Sequence, residues 1–153
     1  MQEEKRGEPR PSPEMIEVAL TSLLRSGAQA RHIGRVAPQL GRWISEDLDD
    51  SDAPTPGIRW IHAEKRLRIF VEEEASPFYR ERLLIMLAFR PGLEGTKMTT
   101  RAEAAARTCD WTKWEGVSWH HYRYRMLPDE IRGLADRMYE RLVMEAEVPE
   151  AAQ

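Results

Sequence analysis

The residues best suited to chemistry lie in the last third of the chain. Trp119, His120, Tyr122, Arg123 and Arg125 follow one another closely, with no acid between Gly116 and Met126. Arginine carries a planar fork of donors that fits a phosphate or a guanine edge, and aromatic rings can stack or anchor. Lys97, Arg101 and Lys113 stand just upstream. Over residues 96–126 six cations (Lys97, Arg101, Arg107, Lys113, Arg123, Arg125) face three acids (Glu103, Asp110, Glu115), a local +3 in a chain whose net charge is −3. A basic face on an acidic protein is what phosphate contact requires. The pattern predicts Arg123 and Arg125 bridging phosphates or a guanine edge, with Lys97, Arg101 and Lys113 as backbone clamps. Trp119, His120 and Tyr122 are expected to point outward beside them.

Other constellations carry less. His120 and His121 with Cys109 and Asp110 suggest a metal site, but adjacent helical residues point about 100° apart and rarely share one ion. His32 and His62 stand alone. Glu72, Glu73 and Glu74 are consecutive, so their carboxylates diverge and read as a solvated face. Cys109, the one cysteine, lacks the local signature of a nucleophile. There is no glycine-rich phosphate loop, no His-Glu-x-x-His and no Gly-x-Ser-x-Gly. The sequence thus predicts no catalytic motif, no cofactor and no metal. An enzyme with scattered catalytic residues, which would leave no pattern, stays open as a third alternative.

These residues need helices to hold them. Ser12-Pro13-Glu14 opens one: a capping hydroxyl, a proline suited to the first turn and an acid at the positive dipole end. Ile16, Ala19, Leu20, Leu23 and Leu24 give its apolar face, and Ser26-Gly27 its stop. A second pattern runs Ile33, Val36, Leu40, Trp43, Ile44, Leu48, with a break predicted at Pro38. Residues 46–52 carry five acids and lead into Ala53-Pro54-Thr55-Pro56-Gly57, which reads as an exposed linker. Residues 58–71 fit either a hairpin or a helix. The absence of Gly, Asn or Asp from the central His62–Arg66 favours the helix, as do Ala63, Leu67, Phe70 and Val71.

Downstream, Ser76-Pro77 predicts an N-cap for a helix carrying Phe78, Leu83, Leu84, Leu87 and Ala88. Thr100 with Glu103 predicts a capping box before Ala104-Ala105-Ala106. Ser118 is expected to cap a helix from Trp119 to Met126. Pro128-Asp129 is expected to start a separate last helix bearing Ile131, Leu134, Met138 and Leu142, which packs on the inner side of 118–126. The fold class is all-α: a small helical bundle with a helix-turn-helix-like half at its C-terminal end, divided into one or two bundles by the acidic linker. The predicted division is a disordered tail at 1–11, a helical segment at 12–48, the linker at 49–57, the main domain at 58–146 and a frayed tail at 147–153.

Composition limits the rest. The chain has 153 residues, enough for a core without staples, and is 41% hydrophobic and 32% charged. Its acidity excludes a wholesale nucleic-acid coat protein. One cysteine excludes an intramolecular disulfide framework and a cysteine-based zinc finger. The longest apolar run, Leu83 to Phe89, is far short of the roughly 20 residues of a membrane span, and no signal-peptide core follows the N-terminus. A cytoplasmic location and no membrane contact are expected.

From Thr100 to Leu127 the grammar is that of a helix-turn-helix: small alanines, a turn glycine at Gly116, Val117 as plug and Ser118 as cap. The run Arg66-Leu67, Phe78-Tyr79-Arg80, Leu84, Leu87, Pro91-Gly92, Thr99-Thr100-Arg101, Ala104-Ala105-Ala106, Gly116-Val117-Ser118, Tyr124-Arg125 and Leu134-Ala135 resembles the all-helical modules common in actinobacterial proteins. Their tail is similar to the helix-turn-helix of sigma factor region 4. The resemblance covers roughly residues 60–143 and implies a regulatory or adaptor module. One departure is that Ala106 and Gly116 lie ten apart where the usual motif has about four. The extra residues include Trp111 and Trp114, and such spacing alters the angle at which a second helix meets a groove. Two functions follow: a regulatory protein binding double-stranded DNA through the motif, or an adaptor docking a protein partner. The adaptor would use the helix at 13–25 or the cluster of Trp111, Trp114, Trp119, Tyr122 and Tyr124, whose rings also suit a bundle core.

Overall fold

The computed structural model describes residues 10–48, 51, 55–109 and 118–144. Among the described residues the chain is all-helical, with seven helices and no strand. They are α1 (Pro13–Ser26), α2 (Ala30–Val36), α3 (Pro38–Ile44), α4 (Pro56–Glu74), α5 (Arg80–Met86), α6 (Met98–Arg107) and α7, which covers 119–144. None is long and apolar enough to cross a membrane.

Local chemistry explains most boundaries. The Ser12 hydroxyl accepts from the Met15 amide at 3.1 Å, Pro13 fills the first helical position, and Gly27 ends α1 at φ 89°. Ile16, Leu20, Leu23 and Leu24 form the buried face of α1. Pro38 splits the second pattern into α2 and α3, with Ala37 between them. Residues 58–71 are helical within α4, which buries Ala63, Leu67, Phe70 and Val71. Trp60 on α4 lies across α2 and α3. A Cβ on Gly34 would come within 2.5 Å of its indole, and one on Gly41 within 2.7 Å. The two glycines let α2 and α3 approach α4 this closely.

Several boundaries differ from the sequence expectation. Ser76 and Pro77 do not open α5. The Ser76 hydroxyl accepts from the Phe78 amide at 3.3 Å and its carbonyl from the Tyr79 amide at 3.0 Å, a self-contained turn that competes with helix. The helix starts at Arg80, and Phe78 is 88% exposed rather than on the apolar face. Leu87 and Ala88 lie past its end, Ala88 in the left-handed region at φ 63°. Thr100 and Glu103 form no capping box, because α6 begins earlier, at Met98, which packs against the core.

The last two predicted helices are one. A turn of α-helix (Trp119–His121), a π-helical stretch (Tyr122–Met126), a longer α-helix (Leu127–Tyr139) and a final π-helical stretch (Glu140–Met144) follow without interruption. Pro128 has no N–H to offer the carbonyl four residues back and its ring crowds that carbonyl. The wider π turn ahead of it absorbs the mismatch, so the helix passes through proline instead of restarting there. Leu134 and Met138 therefore cannot pack on the inner side of 118–126. Both are fully buried in the common core, and α7 packs along α1.

Both sides of the acidic segment feed one core. Ile16, Leu20, Ile33, Leu40 and Ile44 from before it join Leu67, Leu83, Ala102, Ile131 and Leu134 from after it. One bundle thus replaces the alternative of two. The ends of the segment that are described are tied down: Arg59 donates to the carbonyls of Ser45 at 2.9 Å and Leu48 at 3.0 Å, and His62 meets Asp47 at 3.1 Å. Pro11, inside the predicted N-terminal tail, is buried. Residues 49, 50 and 52–54 of the predicted linker, residues 1–9 of the predicted N-terminal tail, all of the predicted C-terminal tail, and Lys113, Trp111, Trp114, Gly116 and Val117 lie outside the described residues.

Candidate nucleic-acid interface

The start of α7 gathers most of the predicted contact residues that are described. The Ser118 hydroxyl accepts from the His121 amide at 3.1 Å, so the predicted cap is present and fixes where the helix begins. Trp119 and His120 stack with ring centroids 3.8 Å apart, and His120 stacks in turn toward Tyr124 at 6.0 Å. The Arg123 guanidinium sits 5.2 Å from the Tyr124 ring centroid, a cation–π contact. Tyr124 is 59% exposed, His120 and Arg125 are exposed, and Trp119 and Arg123 are half-buried. The result is an aromatic row with the Arg123 guanidinium against it and Arg125 exposed one residue past Tyr124.

Tyr122 does not belong to that surface. It is fully buried, and its hydroxyl donates to Glu130 Oε1 at 2.9 Å. Arg82 from α5 donates to Glu130 Oε2, with its Nε at 2.8 Å and a second guanidinium nitrogen at 2.7 Å. The same guanidinium lies 5.9 Å from the Tyr122 ring centroid. Burial and the Glu130 charge push the Tyr122 hydroxyl far above its ordinary range, so it stays a donor. Burial also raises the Glu130 carboxyl, against the opposing pull of Arg82 and Tyr122. Tyr122 is thus the inner side of the π stretch, and the buried trio bolts the start of α7 to α5 and to its own helix about two turns on.

Arg101 is the second correction. Predicted as a phosphate clamp, it is fully buried and donates to the backbone carbonyls of Met86 and, at 2.9 Å, of Arg25. It lies on the same face of α6 as Ala102, Ala105 and Ala106, where the small alanines leave room for a long side chain. Lys97 is exposed at the N-terminal edge of α6, and α6 packs against the first turns of α7. Among the predicted contacts, then, Arg123, Arg125, Trp119, His120 and Lys97 reach the surface to differing degrees, and Tyr122 and Arg101 do not.

The sequence pattern alone does not reveal these buried polar groups as such, although it carries a signal. Glu130 stands on the Leu127, Ile131, Leu134 stripe, and Arg101 on the alanine stripe: charged residues at apolar helical positions. Glu74 is a third case. Its side chain is only 7% exposed and binds Arg137 and Arg141 from α7, so it is not part of a solvated face. Cys109 is buried as a free thiol, and no group of three metal-type ligands forms among the described residues.

An open groove of about 490 Å³ runs between α1 and the α2–α3 corner, lined by Met15, Val18, Val36, Pro38, Leu40 and Trp43 among others. Val18 in its wall is 66% exposed. No family model, no curated protein and no solved structure matches the chain.

Proposed function

We propose that the protein is a non-catalytic regulatory module that contacts double-stranded DNA through the start of α7. The observation that carries this reading is the surface run of His120, Arg123, Tyr124 and Arg125, free of acids from 118 to 128 and held rigidly by the buried Tyr122–Glu130–Arg82 trio. Helices that read DNA present their N-terminal turns to the groove, and one side of the N-terminal turns of this helix, with His120, Tyr124 and Arg125, is exposed. The likeness to a sigma region 4 helix-turn-helix points the same way. Arg123 and Arg125 would meet phosphates or a guanine edge, with Lys97 as an accessory backbone contact and the rings positioning the helix.

The test is anisotropy of a labelled duplex titrated at several salt concentrations. Binding that weakens steeply with salt supports the reading. Replacing Arg123 and Arg125 by alanine should flatten the log–log slope by about 0.9 for each phosphate no longer neutralised. An unchanged slope in that double variant, or no binding by the parent at low salt, rejects it.

A second reading, an adaptor for a protein partner, is supported by the apolar groove beside α1. An apolar contact there would change little with salt, so the same titration against a captured partner separates the two.

A further inference from the structure

Helix α2 sets two guanidinium groups against one imidazole, with no carboxylate partner among the described residues. Arg31 Nε lies 3.4 Å from His32 Nε2, and an Arg35 guanidinium nitrogen lies 3.1 Å from His32 Nδ1. A guanidinium only donates, and a neutral imidazole accepts at one of its two nitrogens. The ring therefore satisfies one arginine at most, and when protonated it satisfies neither. No carboxylate pairs with Arg31 or Arg35 among the described residues, although both are exposed.

The surroundings add positive charge. Arg101 from α6 adds its charge to those acting on His32, and its buried Nε has no partner. The charges acting on His32 are those of Arg31, Arg35 and Arg101, and together with burial they hold the imidazole below its usual pKa. The nearby acid of α4, Glu64, is already engaged: it accepts from the Ala30 amide at 2.7 Å and pairs with Arg68 at 3.6 Å.

We propose that Arg31, His32 and Arg35 form a binding site for a single compact phosphate dianion, free or as a small phosphomonoester. The dianion supplies the missing acceptors: several oxygens for two guanidinium forks, plus one for a His32 N–H. Arginines four apart lie on one helix face, and here both reach nitrogens of the same ring. This site shares no residue with 119–125.

The experiment is a titration of the full chain with inorganic phosphate at constant ionic strength, with chloride as the control, read from the His32 ring signals by NMR. Saturable shifts with phosphate and with phenyl phosphate, and a His32 pKa that rises on binding, are expected. R31Q/R35Q should weaken phosphate binding about tenfold or more. R123A/R125A should leave it unchanged, so failure of the DNA reading and failure of this one are distinguishable. A non-saturable response equal to chloride, or full affinity in R31Q/R35Q, overturns the proposal. Shifts at His32 with duplex DNA but not with phosphate or phenyl phosphate also overturn it, by making these arginines part of a nucleic-acid surface.

Discussion

The guanidinium of Arg101 donates to the carbonyl of Arg25, 76 residues earlier in the chain, at 2.9 Å. Its other terminal nitrogen meets the carbonyl of Met86. Arg25 lies in the last turn of α1 and Met86 is the last residue of α5. One buried cation thus closes the C-terminal ends of two helices, where free carbonyls and the negative end of the macrodipole both favour positive charge. This accounts for a fully buried arginine with no acidic partner among the described residues.

Replacing Arg101 by methionine should preserve volume and remove both hydrogen bonds. Two carbonyls left without a donor cost about 1–3 kcal/mol each if water cannot reach them. Chemical denaturation should show a drop of roughly that size. Arg101→Lys should recover only part of it, since one ammonium lacks the fork that spans two carbonyls. A methionine variant as stable as the parent would show that the helix ends are solvated.

Glu130→Gln should be worse than Tyr122→Phe. The first leaves the Arg82 cation buried without its counter-charge, a loss of about 3–5 kcal/mol. The second removes one neutral-to-charged hydrogen bond, about 1.5–3 kcal/mol. Thermal melts of both variants, with the double variant to complete a cycle, will show whether the trio acts as a unit. Equal and additive losses would argue against coupling.

Gly41→Ala should destabilise the protein by about 1–3 kcal/mol, the usual range for overpacking. Its new methyl would fall 2.7 Å from the Trp60 ring and 2.8 Å from Ile33. The same substitution on a Trp60→Leu background should cost less, because the ring that it strikes is gone. A loss independent of residue 60 would place the strain elsewhere.

His32 makes stability depend on pH. Burial, and then Arg31, Arg35 and Arg101, lower its folded pKa below 6.5. The unfolded chain thus binds the extra proton first, and the stability that His32 contributes is present above pH 6.5 and lost as pH falls from there toward its folded value. His32→Gln should flatten denaturation midpoints across that window. A slope identical in parent and variant would contradict the assignment.

Much of the fold is legible in the sequence because helix signals are local. Ser12-Pro13, Gly27 and Pro38 act within one turn, and the apolar spacing of Ala63, Leu67 and Phe70 separates helix from hairpin. Where the sequence misleads, a tertiary or competing contact decides. Ser76 spends its hydroxyl on a turn, Met98 docks into the core and pulls the start of α6 past Thr100, and a π stretch carries α7 through Pro128. The contact residues divide for the same reason. Composition marks Tyr122 and Arg101 as aromatic and basic, as it does Trp119 and Arg125. Only the distant partners Glu130, Arg82, Arg25 and Met86 turn the first two inward.

The unbroken run of α7 also has a mechanical meaning. At about 1.5 Å per residue, 26 residues make a rod of roughly 40 Å, with its basic first turns packed on one side and exposed on the other, and its shaft lying along α1. No loop separates tip from shaft, so the tip has no hinge of its own, and its bearing is that of the whole bundle. On the proposed reading, a partner would meet Arg123 and Arg125 at a backbone angle already set, and the entropy of ordering that backbone is lost during folding rather than on contact.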